Sequence, residues 1–231
     1  MSKKRTRETL DEYLQSEFAR TAHFDEQAQR FVYSEQGVRR EASGLLGFLR
    51  ATYYPHYVDG KPYRGHRRKG RASNALQGIR VDTDLEALVR QGHAEGLHPM
   101  SAALLAHWQS KGHSIVAAQV PVRIDAYRMT RADVITCETR SGKLYCWEVK
   151  TGMAGGLHTK QDYMRSTLRD VPCTRANQWH LQSEYTRHAL VTHAALPIAA
   201  GRIIQVYEKH KTNELVVKEH RHPAWLKQIK L

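Results

Sequence analysis

The chain has 231 residues, 41% of them hydrophobic, enough for one compact domain with a buried core. Its 36 Lys+Arg against 23 Asp+Glu give a formal charge of +13, so polyanionic partners are expected and nucleic acid foremost among them. Three cysteines without a CxxC pair argue against a disulfide framework, a structural zinc site or a four-cysteine cluster, and no run of about 18 apolar residues suggests a membrane span.

In chain order, Leu10, Tyr13, Leu14 and Phe18 recur at helical spacing, which predicts an amphipathic helix over residues 8–33. A second short helix is expected from Ser43 to Thr52, where Leu45, Leu46, Phe48 and Leu49 cluster. The following stretch, Tyr53 to Ser73, is rich in Pro, Gly, Tyr and base and reads as a loop. Residues 1–75 are thus expected to form an N-terminal helical region with a basic, aromatic loop, ahead of a core over 76–231. A helix is predicted over 82–91, opening on acidic residues that suit its positive end, and another from Ser101, as cap, to Lys111.

The pattern then turns β-rich. Strands are expected over Ser114–Val122, Arg123–Tyr127, Ala132–Thr136 and Leu144–Lys150, with a turn at Arg140-Ser141-Gly142-Lys143. A helix over Ala176–His193 and a hairpin of Arg202–Tyr207 with Glu214–Lys218 complete an α/β (α+β) chain with a mixed sheet.

The chemistry concentrates in the hairpin from Arg131 to Lys150. Its two strands bring Asp133 near Glu148. Glu148 and Lys150, two residues apart, share one face, and Val149 points into the opposite layer. Like-charged carboxylates on one face oppose folding unless a cation joins them. Mg²⁺ (or Mn²⁺) suits two carboxylates plus the Val149 backbone carbonyl, while Lys150 can orient a water and stabilise charge on a phosphoryl group.

The residues Asp133…Glu148-Val149-Lys150 resemble the D…(D/E)xK signature of the PD-(D/E)xK nuclease superfamily, with Ala132 where the name has proline. Gly78-Ile79-Arg80-Val81-Asp82, followed by Leu85 and Glu86, resembles the helix opening of the RecB/Cas4/λ-exonuclease-like branch. That likeness makes Asp82 a further metal ligand; capping is the alternative. The helix from Asn177 to Tyr185 resembles the branch's Q…Y helix, which implies that Gln182 supports the site and Tyr185 meets nucleic acid; Gln178 shares Gln182's face. The resemblance implies a restriction-endonuclease-like core with a central mixed sheet flanked by helices. It also implies a Mg²⁺-dependent deoxyribonuclease, most in keeping with an exonuclease or end-processing enzyme in recombination, repair or viral and phage genome handling. A junction-resolvase-type endonuclease and an inactive basic nucleic-acid-binding module are the alternatives.

DNA is the expected partner, with RNA open, in the cytoplasm or nucleus of a cell or infected host cell. Candidate phosphate and base contacts are Tyr63, Arg64, Arg67, Arg68, Lys69 and Arg71, interleaved base and aromatic, together with Thr151 and Lys160 after the second strand. The GxxxxGK[ST] spacing is absent there, so ATP use is not expected. Fourteen histidines include no HExxH; His158 and His180 are the two weighed for a catalytic role, and most of the rest read as surface or partly satisfied core residues.

Overall fold

The computed structural model describes residues 3–55, 74–93, 96–152, 162–209 and 212–229. Helices α1 (Lys3–Gln15) and α2 (Glu17–Thr21) lead into strands β1 (His23–Asp25), β2 (Arg30–Glu35) and β3 (Val38–Gly44). Helices α3 (Leu45–Tyr53), α4 (Asn74–Gln91) and α5 (Pro99–Ser110) follow, then strands β4 (His113–Arg123), β5 (Arg128–Glu138) and β6 (Leu144–Thr151). Helix α6 (Arg175–Thr192) carries the chain to β7 (Ile198–Glu208) and β8 (Leu215–His220).

The eight strands among the described residues form one mixed sheet in the order β1-β2-β3-β5-β6-β7-β8, with β4 on β5. β4–β5–β6 is an antiparallel meander, and α6 is the crossover that lets β6 and β7 run parallel. Side-chain alternation on the strands feeds two cores. Val134, Trp147 and Val149 bury against Val81 and Leu85 of α4 and Trp108 of α5. On the other face, Ile135 and Cys146 meet Leu181 and Leu190 of α6, Leu49 of α3 and Leu10 of α1. The molecule is therefore a mixed α/β fold with a central sheet flanked by helices.

The expected N-terminal helix over 8–33 is corrected to two short helices followed by strands. The apolar spacing that suggested it ends at Phe18, and Phe31, Val32 and Tyr33 are buried in β2. A two-residue turn at Gln36-Gly37, both at positive φ (53° and 74°), closes the β2–β3 hairpin. Glu17 of α2 anchors it by accepting from the backbone N–H groups of Gln36 and Gly37 at 2.8 and 2.9 Å.

Other boundaries also move. α4 begins at Asn74, so Asp82 lies mid-helix rather than at a helix start; of the strand expected over Arg123–Tyr127, Arg123 ends β4 and residues 124–127 form the turn to β5. His98, not Ser101, caps α5; buried Ser101 instead donates to Asp84 at 2.7 Å, which also accepts from the His98 N–H and ties α4 to α5. The three cysteines are free. Among the described residues no helix is long and apolar enough to cross a membrane.

Candidate functional site

Strand β5 has two partners along one edge. β3 pairs with its first residues, Arg128 and Met129, while β6 pairs from Val134 to Cys137. Between these stretches β3 and β6 part, and Asp133 stands at the fork. A cleft of about 1290 Å³ opens there, lined at one end by Asp82, Asp133 and Gln182 and at the other by residues of β1 and the β1–β2 turn.

Glu148 and Lys150 project from the same face of β6 as expected, and Val149 enters the opposite core. Glu148 is 3% exposed, and the Lys150 ammonium donates to its Oε1. Lys150 also lies 6.0 Å from the centre of the Trp179 ring. Asp133 accepts from the Val149 N–H at 2.8 Å, which fixes the two strands of the hairpin at the fork. The Val149 N–H thus meets the Asp133 carboxylate, while its carbonyl is the group expected to face a metal.

α4 approaches the end of β6 closely. A Cβ on Gly78 would stand 3.2 Å from the Thr151 hydroxyl, so the glycine sets the helix against the strand. Asp82, one turn further along the same helix face, is thereby brought to the cleft.

Burial raises the pKa values of all three carboxylates. Asp82 is pushed up to about 7 by burial and then by the charge of Asp133, partly offset by Arg131 and Lys150. Glu148 rises to about 8, from burial first and Asp133 next. Asp133 is raised by burial against the opposing pull of Lys150 and its Val149 hydrogen bond. Lys150 is held charged, because Glu148, Asp133 and Asp82 outweigh its own burial. The site is an acidic cluster of hard oxygen donors around one ammonium, with the Arg131 guanidinium also acting on Asp82 and Asp133.

Among the described residues, no three His, Cys, Asp or Glu side chains converge closely enough to form a metal-binding group. The expected set of Asp82, Asp133 and Glu148 therefore does not form a closed cage. Glu148 is engaged by Lys150, and Asp82 arrives from a different layer of the fold.

Gln182 is buried and lines the cleft, whereas Gln178 donates to the Cys173 sulfur at 3.3 Å; α6 thus directs only the former to the site. Tyr185 packs beside Phe48, with its hydroxyl 2.8 Å from that of Tyr53, and does not line the cleft. Thr151 is half-buried beneath α4. His180 is buried with its ring near those of His220 and His222. Tyr63, Arg64, Arg67, Arg68, Lys69, Arg71, His158 and Lys160 lie outside the described residues.

Two residues at the site carried no signal in the sequence. Gln119 sits on β4 between Ala118↔Val134 and Val120↔Ala132, hence across from Asp133, and lines the cleft with a left-handed backbone (φ 51°). Such strain in mid-strand is tolerated where a local shape is needed. Gln205, fully buried on β7 beside Lys150, donates to the Gly152 carbonyl at 2.8 Å and lies 3.1 Å from His220 Nε2. It fixes the turn that ends the Glu148–Lys150 strand. No family model, no curated protein and no solved structure matches this chain.

Proposed function

We propose that the protein is a divalent-cation-dependent deoxyribonuclease of the PD-(D/E)xK type, with a restriction-endonuclease-like core and an exonuclease or end-processing role. The observation that carries this reading is the arrangement at the fork of β5. Asp133 meets the Glu148–Lys150 strand there, and α4 and α6 bring Asp82 and Gln182 to the same cleft. Three carboxylates with raised pKa values around a charged lysine are unfavourable for folding alone, which points to a function.

Mg²⁺ takes one or two protein carboxylates and keeps several waters, so a closed three-residue cage is not required. Asp133 and Glu148 would hold it, assisted by Asp82 and the Val149 carbonyl. Once bound it would supply an acidified water and positive charge opposite the scissile phosphate. Lys150, released from Glu148, would orient the attacking water and stabilise charge on the phosphoryl oxygens as the phosphorus–oxygen bond to the leaving strand breaks. Gln182 would hold Lys150 or substrate in register.

The test is cleavage of labelled linear DNA with Mg²⁺ or Mn²⁺. Asp133→Ala should lose at least about 10²-fold in rate while DNA binding persists, the size expected when a group acting on the developing charge is removed. The Lys150–Glu148 contact favours a second reading, an inactive nucleic-acid-binding module. Binding by the wild type with no metal-dependent cleavage would select that module instead.

A further inference from the structure

The cleft beyond the carboxylates has a composition of its own. Its outer wall is built by the N-terminal β-meander and α3, which contribute Phe24 and Phe48, and by the β4–β5 turn, which presents Tyr127 at 79% exposure. Arg128 is fixed there, its guanidinium 3.7 Å from the centre of the Phe48 ring and paired with Asp125. Arg131 stands exposed between this aromatic wall and Asp133. At about 1290 Å³ the cleft is larger than the roughly 300–1,000 Å³ of a typical small-molecule pocket.

Tyr127 and Phe24 beside the exposed Arg131 suit a ligand that carries flat rings and negative charge. In a duplex the base faces are stacked on one another, and a protein meets phosphates and groove edges. Only an unpaired strand offers its bases to Tyr127 and Phe24 and its phosphates to Arg131 at the same time. The +13 charge of the chain complements that strand.

We propose that this cleft binds an unpaired polynucleotide strand, stacking bases on its aromatic wall and leading the phosphodiester backbone past Arg131 to Asp133. The path to Asp133 rests on the nuclease reading above; the strand-binding cleft itself does not.

The test is fluorescence anisotropy with labelled oligothymidylate and with a blunt duplex, in chelator so that nothing is cleaved. Oligothymidylate should bind more tightly than the duplex. Tyr127→Ala should weaken it about tenfold or more, the loss of one stacked base, with duplex binding unchanged. Tyr127→Phe should retain binding, which separates stacking from hydrogen bonding. Gly47→Glu gives an independent check: a Cβ at this cleft-lining position meets nothing within 4 Å, so the variant folds while adding negative charge to the groove. It should weaken strand binding too.

Equal or tighter binding of the duplex, or oligothymidylate affinity unchanged in Tyr127→Ala and Gly47→Glu, would overturn the strand-binding cleft. Strand binding that depends on Tyr127 without metal-dependent cleavage would overturn the nuclease reading alone. Cleavage without that dependence would overturn the cleft alone.

Discussion

Lys150 decides the balance of charge in the site, because its ammonium is the cation that buried Glu148 meets. In Lys150→Met the side-chain volume is nearly kept and the charge is lost. Cleavage should fall at least about 10²-fold, since the group that steadies charge on the phosphoryl oxygens is gone. Stability should change little in mildly acidic buffer, where Glu148 can take up a proton rather than remain a buried unpaired anion. In alkaline buffer the variant should melt below the wild type, as Glu148 must then ionise without its partner. Thermal melts at the two pH values and a cleavage assay read both effects; cleavage retained in Lys150→Met would remove the lysine from the mechanism. At this scale the sequence was informative about Asp133, Glu148 and Lys150, because alternation along a strand places i and i+2 on one face regardless of the rest of the fold. It was silent about Gln119 and Gln205, whose significance lies in neighbours on other strands.

At the scale of elements, signals survived where local chemistry and tertiary contact agree. Thr174 caps α6 by accepting from the Asn177 N–H, and the helix was legible to within a residue of its observed bounds. The β5–β6 hairpin was legible because its turn residues and β-rich flanks coincide. α4 was not: its first two turns follow residues whose composition reads as loop, so the helix start was placed eight positions late. The β1–β3 meander was hidden because the helical spacing of Leu10 to Phe18 was extended past its end, although the Phe31-Val32-Tyr33 run and Gln36-Gly37 turn marked a hairpin. Glycines at element contacts give a sharp test of this packing. A Cβ on Gly201 of β7 would stand 3.0 Å from Ser183 Oγ and 3.2 Å from the Ser183 carbonyl, where α6 lies on the strand and backbone cannot yield. Gly201→Ala should cost about 1–3 kcal/mol, lowering the melting temperature by a few degrees in a chain of this size. On α3, Gly47→Ala meets open space and should stabilise by about 0.5–1 kcal/mol through the gain in helix propensity. Calorimetry that finds Gly201→Ala as stable as the wild type would show that α6 does not rest on β7 at this point.

For the molecule as a whole, the acidic cluster links folding to pH and to divalent cation. Asp82 and Glu148 have folded-state pKa values raised to about 7 and about 8, above their ordinary range near 4. Between those limits the folded protein holds protons that the unfolded chain has released. Their contribution to stability is therefore complete at low pH and is lost as pH rises through 7 and 8. Net charge acts the other way: approaching the isoelectric point near 9.8 relieves self-repulsion in a chain carrying +13 at neutral pH. Comparing the wild type with Glu148→Gln at each pH cancels much of that background. The wild type should lose melting temperature relative to the variant from about pH 4.5 to about pH 8, between the ordinary and the raised value of Glu148. Mn²⁺ or Mg²⁺ should recover the loss in the wild type, more at the alkaline end, because a cation binds the ionised carboxylates and competes with protons for the protonated ones. In Glu148→Gln the metal-dependent gain should shrink across the whole range. A difference between the two proteins that stays constant with pH would show that the cluster does not titrate with folding. A metal-dependent gain as large in Glu148→Gln as in the wild type would place the cation elsewhere.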